Sequence, residues 1–203
     1  MLGSMMRRLL PLLLVCVAAS TASADGYYFS ESFGGTKVKD ELSAYLPSAV
    51  RFRLAIGLRR QAWALEGFVA GDLNDALYTD YSKTSSLTTY GLDLKYLKPV
   101  SRHIDVYLRG SVGHGIADGA LEGYEGRGLG FGAGVQLKGK VPAIGFLWWP
   151  LFFTNWGPKG TAALFLDDGY DFYRLHRGGD LHATAIDAQL THLTGGFAVG
   201  TDF

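Results

Sequence analysis

The sequence predicts an all-β chain of eight antiparallel strands, joined in up-and-down order and closed into a barrel. Three observations carry that expectation. Apolar residues recur at every second position through long stretches of the chain, the period of a strand with two unlike faces. The connections between those stretches alternate short and long. The composition is rich in Gly (28 residues) and in aromatics (11 Tyr, 12 Phe and 4 Trp), a mixture that suits strands and turns, whereas each Gly inside a helix costs about 1 kcal/mol.

The strands are expected after a leader. Arg7 and Arg8, the apolar run Leu9–Val17 and the small-residue site Ala22-Ser23-Ala24 read as a cleaved secretory signal over residues 1–24, leaving 25–203 as one barrel domain. The apolar run is far below the roughly 20 residues of a spanning helix. Cys16, the only cysteine, falls inside it, so the mature chain is expected to have no disulfide, thiol chemistry or cysteine-based metal site. Without Arg7 and Arg8 the 19 basic residues become 17, against 19 acidic ones. With no basic block, nucleic acid is not an expected partner.

Tyr27–Phe33 supplies the first strand. In Val50–Arg59 the apolar set Val50, Phe52, Leu54, Ile56, Leu58 alternates with Arg51, Arg53, Ala55, Gly57, Arg59. Gln61–Gly71 opposes Trp63, Leu65 and Val69 to Ala64, Glu66 and Phe68. The next two strands oppose Tyr90, Leu92, Leu94, Tyr96 to Asp93 and Lys95, and Ile104, Val106, Leu108, Val112 to Asp105, Tyr107, Arg109, Ser111. Leu129, Phe131, Ala133, Val135 and Leu137 alternate with Gly128, Gly130, Gly132 and Gly134. Thr161–Leu175 has Leu164, Leu166, Tyr170 and Phe172 on one face, but Asp168 falls on that same face, so Asp168-Gly169 is expected to mark a bulge or the edge of the apolar band. Ile186–Phe203 closes the set. Short turns are expected at Arg59-Arg60 and Lys98–Ser101, and longer connections at Gly34–Ser48, Asp72–Ser85, Ala117–Gly126 and His176–Thr184.

Two architectures fit eight such strands, a soluble barrel with its apolar face inward and a membrane barrel with that face outward. The charges separate them. Arg51, Arg53, Glu66, Asp93, Lys95, Asp105, Arg109, Asp167 and Asp171 all lie on the polar face, both signs at mid-strand. A basic residue facing mid-bilayer lipid would cost roughly 2–4 kcal/mol, so in a membrane these nine side chains must form a polar network inside the lumen. The Gly128–Gly134 face would be bare if it met water. Facing inward, it leaves room for the Arg and Tyr side chains opposite.

With its leader, aromatic strands, inward glycine face and last residue Phe203, the sequence resembles the small bacterial outer-membrane β-barrels of the eight-stranded OmpA type. The resemblance implies an outer-membrane location in a Gram-negative envelope, short periplasmic turns and longer external loops. It also implies lipid and the barrel assembly machinery as partners, a monomer, and a terminal strand whose Phe203 is the assembly signal. A structural or surface-interaction role through the external loops is expected, with a narrow channel or carrier for small solutes as the alternative, because an eight-stranded interior is just wide enough for side chains. Some such barrels modify lipid A with His and Ser at the outer end. Here His114 lies at the outer end of its strand near Ser111, with Glu122 in the adjoining loop, but no nucleophile motif surrounds any Ser. His176, Asp180 and His182 form a loop trio with metal-ligating side chains, which reads better as a solvated turn. No catalytic residue, metal site or cofactor is therefore expected.

One segment breaks the pattern. Between Lys138 and Gly160, where a short turn belongs, lies the apolar run Val141–Phe153, interrupted by Pro142 and Pro150. Trp148, Trp149 and Trp156 favour headgroup level. The segment is expected to rest in the inner-leaflet interface along the periplasmic rim. An extra strand pair making ten, a plug under the lumen and a docking site are the competing readings.

Overall fold

The computed structural model describes residues 26–74, 85–140, 160–178 and 184–201. Eight strands run through them: β1 (Gly26–Lys39), β2 (Ser48–Arg60), β3 (Trp63–Asn74), β4 (Ser85–Pro99), β5 (Ile104–Gly119), β6 (Tyr124–Lys140), β7 (Gly160–Arg177) and β8 (Ala185–Thr201). Each pairs antiparallel with the next, and β8 pairs with β1, so the sheet closes and leaves no edge. Even the shortest strand, of 12 residues, exceeds the roughly 9–11 that a tilted strand needs to cross a bilayer.

The register fixes the barrel's dimensions. The row of paired residues that starts at Phe29 passes Ile56, Gly67, Leu92, Val112, Leu129, Phe172 and Gln189 and returns to β1 at Lys39, ten positions (39 − 29) beyond its start. Ten residues of about 3.3 Å rise, set against eight strands about 4.8 Å apart, tilt the strands by about 40°. The backbone radius is then about 8 Å, room for side chains and little else.

The faces are inverted relative to a soluble protein. Leu129 and Leu164 are 66% and 65% exposed on the outside, whereas Glu66 and Asp93 inside are 0% exposed. The outward apolar residues form a continuous belt, far more than a water-soluble monomer exposes. Aromatic pairs lie within it. Trp63 and Tyr96, directly opposed across β3 and β4, lie 4.9 Å apart at the end with the short turns, and midway along β6 Phe131 stacks on Tyr170 at 5.5 Å and on Phe172 at 6.1 Å. The fold is a transmembrane barrel.

Several sequence expectations need correction. The β2–β3 turn is Gln61-Ala62, not Arg59-Arg60. Arg60 still pairs with Trp63, and Gln61 takes the left-handed conformation (φ 53°) that a two-residue hairpin needs. No bulge occurs at Asp168-Gly169. Both ladders run through it without a break, so Asp168 points outward in mid-belt between Ala133 and Leu193. The strands also outrun their alternation. β1 continues to Lys39 and β5 to Gly119, leaving a 3-10 turn at Glu41–Ala44 and a four-residue connection at 120–123. An extra strand pair does not separate β6 from β7, because Lys140 pairs directly with Thr161. Residues 141–159, with Trp148, Trp149 and Trp156, lie outside the described residues, as do residues 1–25, Asp180, His182 and Phe203.

Candidate functional site

The lumen is filled in three tiers, and the middle one is ionic. Arg51, Arg53, Lys95 and Arg109 meet Glu66, Asp72, Asp93, Asp167 and Asp171, all buried. Arg53 joins Glu66 (3.1 Å) and Asp93, Lys95 reaches Glu66 (2.6 Å), and Arg109 joins Asp93 (3.3 Å) and Asp167 (3.0 Å). Nearer the end with the 3-10 turn, Arg51 bridges Asp72 (3.0 Å) and Asp171 (2.9 Å), while Thr36 donates to Asp72 (2.7 Å). His192 links the two groups, accepting at Nε2 from Arg109 (2.9 Å), which assigns its ring proton to Nδ1, 3.7 Å from Asp171. Each charge thus has a counter-charge, the condition for holding it out of water. Asp105 sits apart at the short-turn rim, with Lys138 (2.8 Å), Gln136 (3.0 Å) and Arg59 (3.3 Å).

Below the ionic tier, toward the short turns, Tyr28, Leu97, Tyr107 and Phe165 pack with Ala64, Ala163 and Ala198. Two of these rings carry the boundary. Tyr28 donates its hydroxyl to Glu66 (2.7 Å) and Tyr107 donates to Asp167 (2.8 Å), while Lys95 lies 4.8 Å from the centre of the Tyr107 ring. The glycines of β6 make the space. A Cβ at Gly128 would collide with Tyr173, at Gly130 with Asp171, at Gly134 with Tyr107, and at Gly132 it would stand 3.0 Å from the Arg109 guanidinium.

Above the ionic tier lies an apolar cap. The 3-10 turn folds into the mouth and sets Leu42 and Leu46, both fully buried, against Leu87, Leu121, Leu175 and Leu190. Hydrogen bonds from backbone amides tie it down. The amide of Ser85 donates to the Tyr45 carbonyl (3.3 Å), that of Val38 to the Pro47 carbonyl (3.2 Å), and that of Asp187 to the Glu41 carboxylate (3.3 Å).

The sequence reading did not place Asp72, Thr36, His192 or the cap in a site. Asp72 was recoverable, since it shares the parity of Glu66 and needed only one more residue of strand. Leu42 and Leu46, spaced by four in a polar segment, were the signal for the cap. The structure separates Ser111 from His114. Three residues apart on a strand they face opposite sides, Ser111 inward and His114 outward, where its Nε2 lies 3.4 Å from Glu125. Of the loop trio only His176 lies within the described residues, and among those no cluster able to hold a metal occurs.

No family model and no curated protein sequence matches this chain. Solved structures do. Neisserial surface protein A superposes with a TM-score of 0.56 at 16% identity, over 89% of this chain and 98% of its own. The fold is that of the small outer-membrane β-barrels. Ail, the attachment invasion locus protein of Yersinia pestis, matches at 13% identity over 85% of this chain and 97% of its own (TM-score 0.44), and OprG of Pseudomonas aeruginosa at 11% over 88% and 96% (TM-score 0.43). As an outer-membrane-type barrel, the chain differs from a simple tube in having its mouth roofed by its own first long connection.

Proposed function

We propose that this chain is an outer-membrane protein without enzymatic activity, whose filled barrel anchors a structural or surface-interaction role carried by the connections at the capped end. Residues 1–24 direct it across the inner membrane, the barrel assembly machinery inserts it, and it works as a monomer with the cap at the cell surface. The observation that supports this reading is the occupied lumen. A backbone radius of about 8 Å, with four cations and five carboxylates across the middle and Leu42 and Leu46 across the mouth, argues against an open pore. Those charges serve as packing, since each is consumed by a partner inside the barrel.

Two measurements test it. Cell fractionation with heat-modifiable gel migration should find a folded barrel in the outer membrane, and a soluble periplasmic band would remove the reading. Purified protein in planar bilayers should give no discrete conductance steps. Steady single-channel events would instead favour the narrow channel.

A further inference from the structure

The outer face of β6 and β7 carries an arrangement that the filled lumen does not explain. A row of paired, outward residues runs Tyr90, His114, Arg127, Arg174, Asp187 from β4 to β8. Arg127 and Arg174 are therefore directly opposed on neighbouring strands, a like-charge pair that destabilises a sheet unless an anion lies between them. Internal relief is slight. Arg174 has Asp187 at 3.7 Å with both side chains more than 60% exposed (69% and 61%), Glu125 is engaged with His114, and Arg127 has no ion pair among the described residues. One row further into the belt, the same strands present Val112, Leu129 and Phe172. A groove of about 590 Å³ spans both rows and is also lined by Asp40 and Asp187.

We propose that this groove binds one phosphorylated lipid, its phosphate held between Arg127 and Arg174 and its acyl chains along Val112, Leu129 and Phe172. A phosphate takes charge-assisted hydrogen bonds from both guanidiniums and removes their repulsion. The apolar row selects a lipid over free phosphate, because only an amphiphile covers both rows at once. The two arginines are the first outward charges above the belt on β6 and β7, which is headgroup height. This inference rests on the membrane reading above.

The test uses native mass spectrometry of the purified protein in octyl glucoside, a phosphate-free detergent, with dioleoyl phosphatidic acid, dioleoylglycerol or inorganic phosphate added. The wild type should retain one phosphatidic acid and roughly tenfold less dioleoylglycerol. Arg127→Gln with Arg174→Gln should lose roughly tenfold of the retained phosphatidic acid, while Lys37→Gln, an exposed charge on β1, should not. The single Arg127→Gln variant decides the matter if the double one fails to fold. Equal retention of dioleoylglycerol, equal retention by the double variant, or inorganic phosphate that displaces the lipid as an equal would each overturn the proposal while leaving the membrane barrel standing. A protein monodisperse without detergent would overturn both.

Discussion

Arg109 and Asp168 show how one chemistry, a charge in a strand, takes opposite energetic signs on the two faces. Arg109 points inward to Asp93, Asp167 and His192. Replacing it with Leu leaves two buried carboxylates each short of a counter-charge, a loss of roughly 3–5 kcal/mol. Gel-shift melting of Arg109→Leu should therefore begin at clearly lower temperature than wild type, whereas Lys37→Leu, on the outer face, should melt almost unchanged. Asp168 points outward between Leu166 and Tyr170, and Glu31 does the same between Phe29 and Phe33. A carboxylate facing lipid costs less than a basic residue but still costs, up to about 2 kcal/mol. Asp168→Leu should raise the melting temperature. A fall would mean that Asp168 meets a polar partner instead of hydrocarbon.

At the scale of elements, the strands were legible in the sequence and the cap was not. Each strand announces itself by a two-residue period that every neighbour reinforces, so Val50–Arg59 and Gly128–Leu137 are read with the correct faces from parity alone. Strand ends are legible only while the alternation lasts. β1 beyond Phe33 runs Gly34-Gly35-Thr36-Lys37, which has no apolar side, and so its extension to Lys39 looks like loop. The cap fails for a different reason. Leu42 and Leu46 are buried by a mouth assembled from β1, β2, β4, β5, β7 and β8, a surface that exists only after closure. Because the ladder closes without the 3-10 turn, the cap should open separately from the barrel. Leu42→Asp places a carboxylate in an apolar tier and should make residues 40–47 susceptible to limited proteolysis, while the remaining barrel keeps its heat-modifiable migration. If cleavage is unchanged, the turn is held by its backbone bonds to Ser85 and Val38 and not by the leucines. If the barrel itself unfolds, cap and ladder are one cooperative unit.

For the whole molecule, belt, tilt and lumen are consequences of a single register. A stagger of ten over eight strands sets the radius, the radius dictates side-chain filling, and the middle of that filling is ionic because the charged residues at mid-strand share the inward face. The inverted arrangement depends on lipid meeting the belt, and Trp63 can report it. Trp63 is half-exposed on the outer face of β3 and pairs with Tyr96 at the short-turn end of the belt. An indole there sits with its ring in hydrocarbon and its N–H toward the headgroups. With Trp148, Trp149 and Trp156 replaced by Phe, Trp63 is the sole tryptophan, and its fluorescence in vesicles should be quenched strongly by lipid brominated near the headgroup and weakly by lipid brominated near the chain end. Stronger quenching from the chain end would shift the hydrocarbon toward the short turns and bring Arg60 and Lys98 into it, at roughly 2–4 kcal/mol each. Quenching from neither depth would show that lipid does not reach the outer face, and the inverted barrel would then need a protein sheath in its place.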